Sequence, residues 1–264
     1  MADKSKRKKC LRVKIISMGN AECGKSCIIK RYCERRFVSK YLPTVGIDYG
    51  VTKVHVKDKE LKVNIFDMAG HPYFFEVRNE FYKDAQAALL VYDACDRKSF
   101  ESLDLWLQEM GKQQLVDDVV VFVCANKVDM GKRVVDRLEG QLWSQGKGFS
   151  YYETSAATGE GITEVFQDLF EQLVKLSECD GKRTIPTVTP GFTKDQVDAI
   201  LRLKNGRDNY EKLGVHYTAS RDDINKAYRK LAVILHPDKS MAPGSEDAFK
   251  TLVNARTALL RNKE

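Results

Sequence analysis

Hydrophobic and polar positions alternate with two different periods along the first two thirds of the chain. Short apolar runs predict buried strands, and longer stretches with apolar residues every three or four positions predict helices. The strands are predicted at 11–18, 51–56, 61–66, 87–92 and 119–124. The helices are predicted at 27–36, 99–112, 134–145 and 162–176. This alternation predicts a doubly wound α/β fold with a mostly parallel, six-stranded sheet and a ligand site at the carboxyl ends of its strands.

The strand–helix alternation stops near residue 177. The sequence of residues 178–206 predicts a linker that contains one short helix. Pro186 and Pro190 interrupt regular structure there. Thr193-Lys-Asp-Gln196 is a capping box that predicts the start of the short helix, with Ile200 and Leu201 on its apolar face. Two interpretations of this face stay open: packing in the next domain, or a regulatory contact with the first domain.

The last segment of the chain predicts a second, smaller domain that is all α-helical. From residue 220 onward, apolar residues recur at helical spacing, and another such pattern covers about 245–260 after a break at Pro243-Gly244. The predicted organisation is therefore a tail at 1–10, an α/β domain at 11–177, the linker at 178–206 and the helical domain at 207–264.

The positive charge of the chain is concentrated at its beginning. The 264 residues carry a net charge of +7. Residues 1–14 contain seven Lys or Arg against one Asp, a local +6, so the remaining 250 residues sum to +1. The tail is either a solvated arm or a segment steered toward acidic lipid, nucleic acid or an import receptor. No sequence-specific nucleic-acid binding is predicted for the folded domains.

The sequence also bears on membrane attachment and on the state of the cysteines. No apolar run approaches the length of a membrane span, and Met1-Ala2 and the terminal Arg-Asn-Lys-Glu lead us to expect no lipid anchor. Weak membrane association through the basic tail is the remaining expectation. The seven cysteines form no C-x-x-C pair, which predicts reduced thiols rather than a disulfide framework or a zinc site.

The sequence of Gly19–Ser26 has the pattern of a phosphate-binding loop. These residues read Gly-Asn-Ala-Glu-Cys-Gly-Lys-Ser between an apolar strand and a helix. In such a loop the backbone N–H groups cradle phosphates, the lysine reaches the outer phosphates and the serine hydroxyl binds Mg²⁺. The residues expected at the phosphates are Gly19, Asn20, Ala21, Glu22, Cys23, Gly24, Lys25, Ser26 and Cys27.

Two further segments complete the predicted phosphate and metal site. Asp67-Met-Ala-Gly70 ends a predicted strand. Asp67 would hold Mg²⁺ through water, and the Gly70 N–H would meet the γ-phosphate. Thr44 precedes the hairpin and would complete the Mg²⁺ ligands, with Ser26, when a γ-phosphate is present.

Two more segments predict that the base is guanine. Asn126-Lys127-Val-Asp129 follows a buried strand, and the Asp129 carboxylate can accept hydrogen bonds from the guanine N1–H and exocyclic amine. Adenine has an acceptor at N1 and would be repelled. Ser155-Ala156 follows another strand, where the Ala156 N–H can donate to guanine O6.

In these motifs the chain resembles the Ras superfamily over about residues 11–177, and its Rab branch in particular. Pro43-Thr-Val-Gly-Ile-Asp48 is similar to the first switch and Asp67–Gly70 to the second. The resemblance implies a GTP/GDP switch with Mg²⁺, unidentified effectors at the switches, and Lys25 and Thr44 as catalytic residues. It also implies that Phe37 stacks on the base, although packing in the core is an equally open role.

The sequence departs from this family directly after the Asp-x-x-Gly motif. The family usually has a glutamine there, which orients the attacking water. This chain has His71, followed by Pro72, which lacks an N–H. A neutral imidazole can orient water, as the corresponding histidine of translational GTPases does, and His71 is the candidate catalytic residue. Because Glu22 also adds negative charge near the phosphates, we expect slow hydrolysis; a His71 without effect stays the alternative.

The helical domain resembles a J domain. Residues 209–215, the helix that begins after Ser220 and the tripeptide His236-Pro237-Asp238 match its pattern in order. The resemblance implies docking to a DnaK-type heat-shock ATPase through the tripeptide. Lys226, Arg229 and Lys230 would add electrostatic attraction to an acidic groove.

Together the two resemblances predict a cytoplasmic monomer that binds GTP and recruits a chaperone, and the nucleus stays open as a second location. The alternative is a co-chaperone scaffold whose first domain holds GTP without a nucleotide cycle. GTP turnover distinguishes the two, because only the switch needs it.

Overall fold

The structure is a computed structural model that describes residues 10–113, 116–178, 193–235, 240 and 244–261. The described residues form two compact units. The first contains the residues up to 136 together with 149–178, and the second contains 137–148 together with 193–261. Among them, no helix is long and apolar enough to cross a bilayer.

The first unit is built on a sheet whose six described strands have the predicted doubly wound arrangement. The strands are β1 (Cys10–Met18), β2 (Ile47–Val56), β3 (Lys59–Met68), β4 (Ala87–Asp93), β5 (Val120–Asn126) and β6 (Ser150–Glu153). Their order is β2-β3-β1-β4-β5-β6, and every neighbouring pair is parallel except β2 and β3. β5 is buried along its whole length, as its continuous apolar run predicts.

The β2–β3 hairpin is longer than the sequence pattern predicts. Both strands have ten residues, and only Lys57 and Asp58 lie between them. Lys57 adopts a φ of 51°, the positive value that a tight two-residue hairpin turn requires. The charged residues that suggested a wider loop therefore pair in the ladder, where His55 faces Glu60 and Val56 faces Lys59.

Helices accompany the strands of the first unit. They are α1 (Lys25–Glu34), α2 (Phe75–Tyr82), α3 (Arg97–Glu101), α4 (Leu103–Gly111) and α6 (Ile162–Glu178), with a 3₁₀ helix at Pro72–Phe74. The prediction of a single helix at 99–112 is wrong, because the helix is interrupted at Ser102, between α3 and α4. The Ser102 hydroxyl donates to the Lys98 carbonyl at 2.7 Å, a local bond that competes with regular helix pairing.

One core cluster of the first unit lies between the sheet and helices α1 and α6. Tyr32 of α1 stacks on Phe166 of α6, with ring centroids 3.9 Å apart. Cys23 and Cys124 are buried here, and burial raises the pKa of both thiols, that of Cys124 to about 12. All described cysteines are free thiols, in agreement with the expectation of reduced cysteines.

The second unit is helical and contains α5 (Arg137–Gly146), α7 (Lys194–Asn205), α8 (Asn209–Leu213), α9 (Arg221–Leu235) and α10 (Ser245–Arg261). Its core includes Ala199, Ile200 and Leu203 of α7 beside residues of α8, α9 and α10. The fold class, a mostly parallel sheet plus a small helical domain, is confirmed. The predicted residues Pro186 and Pro190 of the linker lie outside the described part of the chain.

Helix α7 begins with the predicted capping box. The Thr193 hydroxyl accepts from the Gln196 N–H at 3.3 Å, and the Gln196 Oε1 accepts from the Thr193 N–H at 2.7 Å. The Gln196 side chain also donates from Nε2 to the Ile234 carbonyl of α9, at 3.1 Å. Ala199, Ile200 and Leu203 are buried in the core of the second unit, so α7 has the packing role. Leu201, which was predicted on this face, is only half-buried, and Leu203 takes its place.

Candidate functional site

A cavity of about 640 Å³ lies in the first unit at the carboxyl ends of the strands. Most residues assigned from the motifs line it. They are Ala21, Glu22, Gly24, Lys25, Ser26, Cys27, Phe37, Thr44, Gly70, His71, Asn126, Lys127, Asp129 and Ala156. This is the edge at which open α/β sheets bind ligands, so five separate segments of sequence converge as the motifs predict.

The loop at Gly19–Ser26 has the backbone shape that its glycines predict. Gly24 has a φ of 94°, and a Cβ built on it would lie 2.2 Å from the Asn126 Nδ2, so only glycine fits. The buried Lys25 Nζ donates to the carbonyls of Gly19 and Asn20 at 2.8 and 2.9 Å. Helix α1 starts at Lys25, so the loop leads into a helix N-terminus, which favours anions.

Asn20 contributes its backbone to this loop, but its side chain bonds helix α4. Its Oδ1 accepts from the Trp106 Nε1 at 2.8 Å, and its Nδ2 donates to the Ser102 Oγ at 3.1 Å. The sequence placed Asn20 at the phosphates without indicating this contact. The loop is therefore attached to α4 by a side chain that no phosphate motif specifies.

Glu22 occupies a strained position in the loop. Its φ of 66° lies in the left-handed region, which costs a residue with a side chain about 1 kcal/mol or more. Its carboxylate also lines the cavity, where the motifs place the phosphates. The strain lowers the stability of the fold, and the negative charge weakens the binding of an anionic ligand.

We expect Glu22→Gly to raise the free energy of unfolding by about 1 kcal/mol, because glycine accepts the left-handed backbone without strain. The same change should tighten nucleotide binding by removing the charge. Glu22→Gln is the matched control, since it removes the charge and keeps the strain. Thermal unfolding and nucleotide titration measure the two effects separately, and equal stability of the Gly and Gln variants would contradict the strain argument.

Three oxygen-bearing side chains meet beside the lysine. The Ser26 Oγ lies 2.9 Å from the Thr44 Oγ1, and the Thr44 Oγ1 lies 3.4 Å from the Asp67 Oδ2. Burial raises the pKa of Asp67, while hydrogen bonds from Ser26 and Ser17 and the charge of Lys25 oppose that rise. Hydroxyl and carboxylate oxygens are the ligands that Mg²⁺ prefers, so this donor set fits the ion.

The segment after Asp67 is held close to the phosphate-binding loop. A Cβ built on Gly70 would lie 2.2 Å from the Ala21 backbone nitrogen, so the two backbones approach as closely as a glycine allows. The next residue, His71, begins the 3₁₀ helix at Pro72–Phe74. Its Nδ1 accepts the Tyr73 N–H at 3.2 Å, and Pro72 takes the first helical position, where no N–H is needed.

The residues assigned to guanine lie close together in the structure. Ser155 differs from the others, because it makes a structural hydrogen bond and does not line the cavity. Asn126 is buried; its Nδ2 donates to the Cys23 carbonyl at 2.9 Å and its Oδ1 accepts from the Ala156 N–H at 3.3 Å. Lys127 pairs with Asp93, with 2.7 Å between Nζ and Oδ2. Ser155 is buried and accepts the Thr158 N–H at 3.0 Å, which shapes the loop rather than lining the cavity.

The sequence motifs gave no sign of an ion pair between Arg78 and Glu109, which lies next to the second switch. The Arg78 guanidinium makes two bonds of 2.8 Å to the Glu109 carboxylate and lies 4.6 Å from the Trp106 ring centroid. Its Nη1 donates to the carbonyls of Ala69 and His71 at 3.0 and 2.9 Å. No local pattern joins positions 78 and 109, so only the folded chain reveals this pair.

The residues assigned to chaperone docking are described in part. Lys226, Arg229 and Lys230 are exposed on α9, at spacings that place them on one helix face. The tripeptide His236-Pro237-Asp238 lies outside the described residues. The predicted basic face is therefore observed, and its binding role stays a prediction.

Comparisons with known proteins agree with both resemblances. The Ras family model matches residues 14–175 and the DnaJ domain model matches residues 208–264. A Ras-type domain implies guanine-nucleotide binding, and a J domain implies an Hsp70-type partner. The similarity to the two families that the motifs indicated is thus confirmed.

The chain is also similar to curated proteins over nearly its full length. It is 63% identical over 260 residues to "DnaJ homolog subfamily C member 27" of Danio rerio, with 97% of this chain and 95% of that protein covered. The protein of the same description from Homo sapiens is 62% identical over 270 residues, with coverages of 99% and 98%. The chain therefore belongs to the family of DnaJ homolog subfamily C member 27 proteins, and it joins a Ras-family domain to a DnaJ domain in one polypeptide.

Proposed function

We propose that this protein is a guanine-nucleotide switch with slow intrinsic GTP hydrolysis, whose second unit recruits and stimulates a DnaK-type heat-shock ATPase. The observation that carries the proposal is the position of His71 within a cavity whose other residues fit GTP. The loop backbone and Lys25 would bind the phosphates, and Asp129 would accept from the guanine. Bound Mg²⁺ would neutralise phosphate charge, held by Ser26, Thr44 and, through water, Asp67.

The slow hydrolysis follows from the hydrogen bond of His71. An imidazole nitrogen that accepts a hydrogen bond carries no proton, so in the neutral ring the proton lies on Nε2. With Nδ1 accepting the Tyr73 N–H, the neutral ring of His71, which lines the cavity, has one N–H donor left and no acceptor for the proton of water. A glutamine offers both a carbonyl and an amide group, which is what orienting a water requires.

We expect His71→Gln to accelerate single-turnover GTP hydrolysis by on the order of tenfold, because it restores the acceptor. The wild-type rate should lie below roughly 10⁻⁴ s⁻¹, the scale of ordinary small GTPases. His71→Ala is the control, since it removes the ring and adds no acceptor. A wild-type rate at or above that of Ras-type proteins would overturn the slow-hydrolysis proposal.

The chaperone half of the proposal is supported by charge and by sequence. Lys226, Arg229 and Lys230 give α9 an exposed basic face at the helix that leads to the His-Pro-Asp tripeptide. Positive side chains of this kind steer association with an acidic partner and weaken as salt rises. Client binding by this chain is not part of the proposal.

The chaperone experiment measures steady-state ATP hydrolysis by a DnaK-type chaperone with increasing full-length protein. We expect clear stimulation by the wild type, its loss in Asp238→Asn, and a salt-sensitive loss of affinity in the triple alanine variant of the basic face. Lys250→Ala, an exposed lysine on α10, is the matched control and should behave as the wild type. Stimulation by Asp238→Asn equal to that by the wild type would contradict the proposal.

The alternative is a scaffold that holds GTP without cycling, and it differs from the proposed slow switch in having no GTP turnover. Nucleotide extracted from freshly purified protein separates the two: mostly GTP with no turnover supports the scaffold, and mostly GDP supports the switch. In either case we propose a cytoplasmic monomer, with the nucleus as an additional location to be tested and with effectors at the switches. The basic tail predicted at residues 1–10 would provide the signal for import or for weak contact with acidic membranes.

A further inference from the structure

We propose that Arg31 is a positioning residue for base recognition: it holds the loop that carries the Ala156 N–H, and thereby sets the selectivity of the site for the oxygen at position 6 of guanine. The inference rests on the proposed nucleotide-binding function. No motif singles out Arg31, which lies on α1 about one and a half turns after the phosphate-binding loop.

Arg31 contacts the backbone of the guanine loop with two donors. Its Nε donates to the Ala156 carbonyl at 2.7 Å, and its Nη2 donates to the adjacent Ala157 carbonyl. The guanidinium is planar and rigid, so two bonds to successive carbonyls fix the orientation of the peptide between them. A single flexible donor would fix only one point.

The same loop is held from the opposite side by Asn126. The Asn126 Oδ1 accepts the Ala156 N–H at 3.3 Å, while Arg31 bonds the Ala156 carbonyl. In this structure the Ala156 N–H donates to Asn126 through a long bond, which guanine O6 would share or replace, while Arg31 holds the Ala156 carbonyl. Because a hydrogen bond weakens steeply with angle, the direction of this N–H decides how well it reads the base.

Arg31 also reaches the second residue expected at the base. Its guanidinium carbon lies 5.9 Å from the ring centroid of Phe37, which is partly exposed in the cavity wall. Phe37 and Ala156 are far apart in sequence, and Arg31 contacts both. We therefore expect its loss to affect the base end of the ligand more than the phosphate end, which depends on Lys25.

Arg31 is not needed to attach α1 to the core, because the adjacent residue performs that task. Tyr32 stacks on Phe166 with 3.9 Å between centroids and also contacts Phe170 at 5.9 Å. Ile28 and Ile29 of α1 are buried in the same core. Removing the Arg31 side chain leaves these contacts in place.

The experiment compares the dissociation constants of GDP and 6-thio-GDP, which differ only at atom 6 of the base. Full-length wild type, Arg31→Ala, Arg31→Lys and the control Arg36→Ala are titrated with both nucleotides in Mg²⁺. Arg36 is exposed, lies just after the end of α1 and bonds Glu34, so its loss should change nothing. Thermal unfolding of each variant verifies that it is folded.

We expect the wild type to prefer GDP, since sulfur is a weaker acceptor than oxygen. Arg31→Ala should weaken GDP binding about tenfold and 6-thio-GDP binding much less, so that the preference nearly disappears. Arg31→Lys should lie between the two. An unchanged preference in Arg31→Ala, whether or not both affinities fall, would overturn the positioning role; a wild type that binds neither nucleotide would instead overturn the proposed function.

Discussion

Glu109→Ala should lower the free energy of unfolding of the first unit by about 3–5 kcal/mol, because it leaves a buried guanidinium without its carboxylate. The Arg78 side chain is 3% exposed and that of Glu109 is 13% exposed, so water replaces the lost partner poorly. Tyr82 would lose its acceptor as well, since its hydroxyl donates to Glu109 at 2.6 Å. For a unit of this size we expect the unfolding temperature to fall by on the order of 10 °C.

The measurement uses Trp106 as a local probe. The chain has two tryptophans, and Trp143 belongs to the second unit, so a Trp143→Phe background reports unfolding of the first unit alone. Glu101→Ala is the matched control, because its ion pair with Arg97 is exposed and should contribute less than about 1 kcal/mol. Similar losses from Glu109→Ala and Glu101→Ala would contradict the argument.

A double-mutant cycle tests whether the pair, rather than either side chain, carries this effect. Arg78→Met combined with Glu109→Leu replaces both charges by apolar groups of similar size. Since removal of both partners leaves no buried charge, the double variant should lose less than the sum of the single losses, by about 2 kcal/mol or more. Simple additivity would show that the two side chains act independently.

Gly70→Ala should abolish productive GTP binding through contact between backbones. The added Cβ would lie 2.2 Å from the Ala21 nitrogen, 2.3 Å from the Asn20 carbonyl carbon and 2.6 Å from the Asn20 oxygen. All three are main-chain atoms, so no side-chain rotation relieves the contact and the loop or the switch has to move. Overpacking of this kind costs up to about 3 kcal/mol, which corresponds to an affinity loss of on the order of 100-fold.

The expected loss is larger for GTP than for GDP, because the Gly70 N–H is assigned to the γ-phosphate. Titration with a non-hydrolysable GTP analogue and with GDP measures the two affinities. Gly131→Ala is the control, since a Cβ there would meet no atom within 4 Å. An affinity within threefold of the wild type in Gly70→Ala would show that the backbones separate at little cost.

The sequence predicted those parts of the structure that depend on local chemistry. The buried run of β5 and the capping box at Thr193 and Gln196 were predicted from composition and spacing, and both are confirmed. The motif residues around Lys25 and Asp129 line one cavity, and their binding roles stay predictions. Each of these signals lies within a few residues of the feature that it predicts.

The contacts missed from sequence join distant positions through ordinary residues. Arg78 and Glu109 are 31 residues apart, and Arg31 and Ala156 are 125 apart. From sequence alone, an arginine on a helix is interpreted as a solvent-exposed charge, because only the fold reveals its partner. The hydrogen bond of His71 was missed for a different reason: the sequence identified the unusual residue, but the side-chain nitrogen that caps the 3₁₀ helix depends on the local backbone.

The side chain of Gln196 has a practical consequence for dissecting the molecule. It joins the start of α7 to the Ile234 carbonyl near the end of α9, and α7 contributes Ala199, Ile200 and Leu203 to the core of the second unit. A fragment that began at Asn209 would expose these partners of α8, α9 and α10 and leave the carbonyl without its donor. A fragment made to test the proposed chaperone stimulation should therefore begin no later than Thr193.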